Sequence, residues 1–206
     1  MATQGEMPVV LSSNLRVQER KDPSLFVALS RWKKSGRLLS LKKGVYLINT
    51  PYRKAPVNEF YLSQLLEAPS YISLEKALEF HGLIPEGVPV FTSVTTKHPR
   101  TYETMVGTFR YFHLHPRFFW GYDPVEQNRQ TGFLARPEKA LLDFFYLRHA
   151  DASQAYLTEL RLQNLKRLNL KTLRQCAERF NKFWLTRTVD RAIRFLNEEK
   201  SKEKNL

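Results

Sequence analysis

The chain has 206 residues, 42% of them hydrophobic, and carries a formal net charge of +13. This hydrophobic content supports one medium or two small folded domains and excludes a wholly disordered chain. The positive charge predicts a polyanionic partner, with nucleic acid favoured over a membrane. Because Cys176 is the single cysteine, a disulfide within the chain and a cysteine-based metal site are both excluded.

The basic residues cluster near the N-terminus. Between Arg16 and Lys54 there are 11 Lys and Arg residues against Glu19 and Asp22. Such clustering is typical of a nucleic-acid-binding module. We see no signal-peptide pattern and no apolar run of membrane-spanning length, so we expect a cytoplasmic protein without a membrane partner.

The first predicted elements are a short apolar run at residues 9–11 and a helix near residues 15–20. A second helix begins at Pro23, which suits a first helical position because its missing N–H costs nothing there, with Asp22 as N-cap. Apolar residues at helical spacing mark one face of this helix, and a glycine suits its C′ position. These residues are Leu25, Leu29, Trp32 and Gly36.

A strand pair follows, with one strand from Leu38, a basic turn at Lys42-Lys43-Gly44 and a return strand at residues 45–48. A helix, a strand, a basic turn and a second strand form the C-terminal half of a winged helix-turn-helix, in which one helix lies in the DNA major groove. The alternative is a solvated helix and hairpin whose lysines only keep it soluble. The predicted DNA contacts are Ser30, Arg31, Lys33, Lys34, Arg37, Lys42 and Lys43, with Ser30 and Arg31 best placed for base edges.

Two prolines within residues 49–56 predict a domain junction, which we place between residues 52 and 53. The chain beyond it is predicted to be a mixed α+β domain with a helical last third. The predicted helices cover residues 60–66, 73–81, a segment opening at 136, 156–168, 170–183 and 186–199, followed by a frayed tail from residue 200. The predicted strands cover residues 90–96, a hairpin of 102–105 and 108–114, and 131–135.

Few residues suggest catalysis or metal binding. Glu138 and Asp143 are five apart on a predicted helix and point to different faces, which argues against a catalytic pair. His113 and His115 share one face of a predicted strand, but no third ligand is evident, and we interpret them as surface residues. Neither a glycine-rich phosphate loop nor a nucleophile elbow is present.

One polar segment is a candidate partner-binding site. Thr95 and Thr96 end a predicted strand, and Lys97 and Arg100 follow them. Hydroxyl and guanidinium contacts there could hold a phosphate or a carboxylate, and an edge strand with polar outer positions is the alternative. Basic stripes on the C-terminal helices fit a docking face for an acidic protein, a second DNA contact or a solvated surface equally well.

Five segments resemble, in order, the AbiEi antitoxin family of bacterial type IV toxin–antitoxin systems. They are GRLLSLKKGVYLI, SLEKALEFHGLIPE, FTSVTTKHPRTY, GTFRYFHL and ARPEKALLDFFYL. The resemblance implies a winged helix in residues 1–52 that represses its own operon, and an α+β domain in residues 53–206 that counteracts a nucleotidyltransferase-like toxin, AbiEii. It implies no cofactor. It also implies DNA contacts on the helix bearing Ser30, Arg31 and Lys34 and on the turn bearing Lys42 and Lys43.

We therefore expect a non-enzymatic regulator that binds double-stranded DNA at its own promoter, either at two half-sites or as a homodimer. One alternative is an enzyme that acts on nucleic acid or on a phosphorylated partner through Thr95, Thr96, Lys97, Arg100 and Glu138. The other is a protein-interaction module whose basic surface meets an acidic protein.

Overall fold

A computed structural model of the chain describes residues 7–14 and 23–204. The helix predicted near residues 15–20 and the Asp22 N-cap lie outside these residues. The protein is of the α+β class, as predicted, with helices and two sheets. Its first elements are β1 (Val9–Leu11), α1 (Pro23–Lys34), β2 (Leu38–Lys42) and β3 (Val45–Ile48).

The larger, second part of the chain alternates helices and strands before its helical last third. Its first elements are α2 (Glu59–Leu66), β4 (Ser70–Ile72), α3 (Leu74–Phe80), β5 (Val90–Thr95), β6 (Arg100–Thr104), β7 (Gly107–His113), β8 (Tyr122–Gln127) and β9 (Gln130–Ala135). The last third holds α4 (Pro137–Arg148), α5 (Gln154–Glu159), α6 (Leu170–Phe180) and α7 (Phe183–Lys204).

Helix α1 ends at the glycine that the sequence indicated. Gly36 has φ +71°, a conformation that only glycine adopts without strain. Its N–H donates to the Lys33 carbonyl (3.1 Å), and the Arg37 N–H donates to the Trp32 carbonyl (2.9 Å). These two bonds satisfy carbonyls that the helix end would otherwise leave unpaired, as in a Schellman motif.

The N-terminal sheet is antiparallel, in the order β1-β3-β2. The predicted hairpin is confirmed, with Lys43 and Gly44 between β2 and β3. Gly44 has φ +85°, and a Cβ there would lie 2.9 Å from the Ser12 hydroxyl. A side chain at this position would therefore be strained and crowded, so the turn depends on glycine.

The second sheet has six strands in the order β6-β7-β5-β4-β9-β8, which leaves β6 at one edge. β5 pairs in parallel with β7, and β4 pairs in parallel with β9. The other pairs are antiparallel, including the predicted β6–β7 hairpin.

Two strands of this sheet were not predicted. β4 has only three residues, all buried, so it shows no alternation between polar and apolar positions. β8 contains Pro124 and two charged residues, Asp123 and Glu126, and resembles a loop in sequence. It is an edge strand, where a proline costs no hydrogen bond within the sheet.

The helix predicted over residues 156–168 is confirmed over residues 156–159 and wrong beyond them. Helix α5 stops at Glu159, and Arg161 (φ +49°) and Asn164 (φ +52°) take left-handed conformations that no α-helix continues through. The Gln163 N–H donates to the Leu83 carbonyl (2.9 Å), so the chain bonds to the loop after α3 instead of continuing its own helix. The predicted fraying from residue 200 is also wrong in part, because α7 extends to Lys204.

Two hydrophobic clusters form the core. The larger one joins α3, α4, α6 and α7 to the six-stranded sheet. The smaller one crosses the predicted domain junction, because side chains of the N-terminal sheet pack on α2 and β7. Its buried members are Val9, Leu41, Val45, Leu47, Leu62, Leu66, Phe109 and Tyr111.

Within the described part of the chain, no helix has the length and the apolar character needed to cross a membrane.

Candidate functional site

The N-terminal region contains cations without matching acids. Residues 23–58 include eight Lys and Arg residues and no Asp or Glu. On α1 and just beyond it, the predicted DNA contacts Ser30, Arg31, Lys33, Lys34 and Arg37 are all exposed. Among residues 7–14 and 23–204, none of these four cations forms an ion pair. Their charge is therefore available to a polyanion.

Helix α1 contacts one face of the N-terminal sheet. Along β3, Val45 and Leu47 face the smaller hydrophobic cluster, so Tyr46 between them points to the opposite face. The Lys33 ammonium lies 5.9 Å from the centre of the Tyr46 ring, which places α1 on that face. Of the predicted apolar stripe, Leu29 is buried and Trp32 is 36% exposed. The sheet thus lies between α1 and the rest of the protein.

A basic pocket lies where the β2–β3 turn meets the edge of the second sheet. It has a volume of about 690 Å³. Four cationic side chains line it against one carboxylate, and they come from both parts of the chain. The lining residues, which we call the basic pocket throughout, are Lys42, Lys43, Glu67, Thr96, Lys97, His98, Arg100, Tyr102 and His113.

The pocket unites two sets of residues that the sequence placed in separate sites. Lys42 and Lys43 were predicted as DNA contacts, and Thr96, Lys97 and Arg100 as partner-binding residues. The fourth predicted partner-binding residue, Thr95, is fully buried. Its hydroxyl donates to the Pro69 carbonyl (2.8 Å) and accepts from the Lys97 N–H (3.2 Å), so it shapes the turn instead of facing a ligand.

The two turn lysines have different surroundings. The Lys42 ammonium donates to the carbonyl of Leu66, the last residue of α2. A cation is stabilised there because the C-terminal end of a helix carries partial negative charge. Lys43 is exposed and has no ion-pair partner in the described part of the chain.

Burial lowers the pKa of Lys42, and repulsion from Lys97 and Arg100 lowers it further, while the Glu67 carboxylate opposes the shift. Like charges therefore converge in the pocket.

Glu67 is the carboxylate of the pocket and contacts Lys97 and Tyr102. Its side chain is 8% exposed, its Oε2 accepts from the Tyr102 hydroxyl (2.9 Å), and its Oε1 lies 3.4 Å from the Lys97 ammonium. His113 is held at the rim, because its Nδ1 lies 3.0 Å from the Lys97 carbonyl oxygen. Sequence reasoning missed Glu67 and Tyr102 because only the tertiary fold brings the end of α2 next to β6.

The carboxylates considered for catalysis lie elsewhere. Glu138 is buried, and its Oε1 accepts from the Asn169 N–H (2.7 Å). Asp143 is fully buried, forms an ion pair with Lys139, and accepts from the hydroxyls of Tyr71 (3.0 Å) and Ser73 (2.8 Å). Neither residue lines the basic pocket. The residues named for an enzyme are therefore not brought together.

The two histidines considered as metal ligands, His113 and His115, also lie in different elements. His113 ends β7, whereas His115 lies beyond the strand and accepts from the Arg117 N–H (3.2 Å) at the start of a 3-10 turn. Across residues 7–14 and 23–204, no group of three His, Cys, Asp or Glu side chains is arranged to hold a metal ion.

Several cations of the C-terminal half have acidic partners, unlike those of α1. Arg148 pairs with Glu75, Arg161 with Glu86, and Arg174 with both Glu178 and Asp190. These pairs reduce the charge that the predicted basic stripes present to a partner.

No model of a known protein family matches the chain, and no curated protein matches it in sequence.

Proposed function

We propose that the protein is a DNA-binding transcriptional regulator of the winged helix-turn-helix type, acting in the bacterial cytoplasm as an AbiEi-like antitoxin. The observation that carries the proposal is the set of eight cations without an acid in residues 23–58. Those of α1 are exposed and form no ion pair with any residue that the structure describes. Such cations neutralise DNA phosphates without first giving up a protein partner, so the released counterions drive binding.

Helix α1 is the proposed recognition helix. Ser30 and Arg31 would reach base edges, and Arg31, Lys33, Lys34 and Arg37 would contact phosphates. The β2–β3 turn would be the wing, with Lys43 on the adjacent backbone and Lys42 beside it. Operators of such modules are often repeated, so we expect a homodimer on two half-sites of the promoter.

The test is a gel-shift titration of the full chain on the DNA upstream of its own gene, with scrambled DNA as competitor and salt varied. We expect specific binding, weakened in Lys33→Ala/Lys34→Ala on every sequence, with the salt slope reduced by about one for each phosphate that the variant leaves without a cation. Arg31→Ala should instead reduce discrimination between the two DNAs, by about tenfold.

The matched control is Lys166→Ala/Lys171→Ala, which removes two exposed cations of the C-terminal third. If the control weakens binding as much as the α1 variant, net charge and not α1 is responsible, and the proposed recognition helix is wrong. Equal binding to scrambled DNA would contradict the proposal that the protein is a transcriptional regulator.

The antitoxin part of the proposal is supported by the resemblance of residues 23–150 to AbiEi proteins. Its test is growth of cells that express the reading frame next to this gene, with and without this chain. A nucleotidyltransferase-like frame that is toxic alone and harmless together with the chain is the expected result. A harmless neighbour, or toxicity that the chain does not relieve, would contradict it.

A further inference from the structure

The basic pocket has the size of a small-molecule site. Its volume of about 690 Å³ lies within the range of ~300–1,000 Å³ typical of ligand pockets. Its walls come from the β2–β3 turn, the end of α2, the β5–β6 connection and strand β6. A duplex presents its phosphates on a convex surface, whereas these cations line a concavity.

The charges in the pocket suit an anion with more than one negative charge. Lys42, Lys43, Lys97 and Arg100 face a single carboxylate, Glu67, which is already paired with Lys97 and Tyr102. The positive excess is therefore on the exposed side, where Lys43 and Arg100 are solvent-accessible and Lys97 is 56% exposed. An anion between these cations relieves their mutual repulsion.

The hydrogen-bond donors of the basic pocket also suit the oxygen atoms of a phosphate group. Arg100 supplies a planar guanidinium that can bind two oxygens at once, and the lysines supply point charges. Thr96 adds a half-buried hydroxyl at the pocket wall. The Tyr102 hydroxyl is committed to Glu67, so its ring is held in place beside the cations. The Lys42 ammonium lies 5.8 Å from the centre of the Tyr102 ring, which leaves the exposed rings of His98 and His113 as the stacking surfaces for a base.

We propose that the basic pocket binds a pyrophosphate group, either free or as the phosphate chain of a nucleotide. Lys43, Lys97 and Arg100 would contact the phosphate oxygens. Lys42 and Glu67 would position the pocket walls by joining the turn and β6 to the end of α2. The site does not include α1 but shares Lys43 with the proposed wing, so pyrophosphate binding is to be measured in the absence of DNA.

The experiment is isothermal titration calorimetry of the full chain, without DNA, at constant ionic strength. The probes are pyrophosphate, ADP, inorganic phosphate and citrate, the last being a polyanion without phosphate geometry. We expect saturable binding of pyrophosphate and ADP, weaker binding of inorganic phosphate, and the weakest for citrate. Tighter binding of ADP than of pyrophosphate would identify a nucleotide as the source, and the reverse would identify the free anion.

The variant Lys97→Ala/Arg100→Ala should bind pyrophosphate at least about tenfold more weakly, since it lacks two of the cations that bind the phosphate oxygens. Both side chains are exposed, so the fold should persist, as a thermal unfolding curve checks. The control Lys166→Ala/Lys171→Ala removes the same charge elsewhere and should bind normally.

The proposal is overturned by any of three results: no saturable binding of pyrophosphate or ADP, equal binding of citrate, or an equally large decrease in the control variant. If Lys97→Ala/Arg100→Ala impairs DNA binding while no phosphate compound binds, the pocket serves the DNA backbone instead. If DNA binding fails but pyrophosphate binds as expected, the regulator proposal fails and this one stands.

Discussion

Adjacent lysines in the β2–β3 turn illustrate how position decides the role of a residue. Both are cations in one basic turn, and the sequence assigned them the same contact with DNA. In the structure, Lys42 is bonded to the Leu66 carbonyl and lies near Glu67, whereas Lys43 is exposed and unpaired within the described residues. Lys42 thus fastens the turn to α2, and Lys43 remains available to a ligand.

We predict different effects for the two alanine variants. Lys42→Ala should lower the free energy of unfolding by about 1 kcal/mol, because it leaves a helix-end carbonyl without its donor. Lys43→Ala should leave stability within ~0.5 kcal/mol of wild type and lower the salt slope of DNA binding. Urea unfolding measures the stability of each variant, and DNA titrations at several salt concentrations measure the salt slope. Equal stability of the two variants would contradict the role given to Lys42.

The variant Glu67→Gln tests how the carboxylate in the basic pocket affects anion binding. Glutamine keeps an oxygen for the Tyr102 hydroxyl but removes the carboxylate charge that opposes an anion. We expect pyrophosphate affinity to rise by about threefold or more, as the net charge of the pocket increases by one. Calorimetry on both proteins measures the change, with Glu126→Gln, an exposed residue of β8, as the matched control. A weaker affinity in Glu67→Gln would mean that the carboxylate itself is needed to place the cations.

Among the elements, helix α4 holds a buried ion pair between Lys139 and Asp143. Lys139 is 1% exposed and Asp143 is fully buried, one helical turn apart. The ammonium lies 5.2 Å from the centres of the Trp120 and Phe180 rings and donates to the Tyr71 hydroxyl (2.9 Å). Burial lowers the pKa of Lys139 and raises that of Asp143, while the ion pair opposes both shifts. This network ties α4 to β4 and to the N-cap of α3.

We predict that Lys139→Met lowers the free energy of unfolding by ~3–5 kcal/mol, since it leaves a buried carboxylate without its cation. The double variant Lys139→Met/Asp143→Asn should recover more than half of this decrease. The asparagine still accepts from Tyr71 and Ser73 but carries no charge. Urea unfolding measures both variants. A double variant as unstable as the single one would show that packing of the lysine stem, and not the unpaired charge, dominates.

In the whole molecule, the N-terminal sheet and the second part of the chain share a hydrophobic cluster. Val9, Leu41, Val45 and Leu47 pack on Leu62 and Leu66 of α2 and on side chains of β7. The predicted junction at residue 52 lies four residues after the end of β3, and the hydrophobic core continues across it. The two parts therefore depend on each other for burial.

Deletion of residues 1–52 should consequently destabilise the remaining chain. Burial of one such side chain contributes ~1.5–3 kcal/mol, so we expect the free energy of unfolding to fall by at least about 4 kcal/mol and the melting temperature by ~10 °C. Thermal unfolding followed by circular dichroism measures it. An unchanged melting temperature would indicate two independent domains. For this reason the DNA-binding tests above use point variants of the full chain.

The turn that forms one wall of the basic pocket also carries the proposed wing, so the two sites should interact. Saturating pyrophosphate should weaken DNA binding by about tenfold, since its charge neutralises Lys43 and lies close to the DNA backbone. Gel shifts with pyrophosphate, and with sulfate at the same ionic strength as control, measure the effect. If sulfate weakens DNA binding as much as pyrophosphate does, ionic screening explains the effect and the two sites do not interact.

The sequence by itself determined the local elements whose signals are local. Proline at the start of α1, glycine at its end, the glycine of the β2–β3 turn and the β6–β7 hairpin were all predicted, because each depends on the conformational preferences of a few neighbouring residues. It also determined the basic N-terminal region, because charge is a property of composition.

Three features were decided only by the tertiary structure. They are the strands β4 and β8, which show no polar–apolar alternation in the sequence, the end of α5, and the set of residues that lines the basic pocket. β4 and β8 form because partner strands supply their hydrogen bonds, and α5 ends because Gln163 finds a partner at Leu83, far away in sequence. The basic pocket joins Lys42, Glu67 and Arg100, which no local spacing relates. Contacts between distant segments carry no periodic signal in a single chain, so the site emerges only when the two sheets meet.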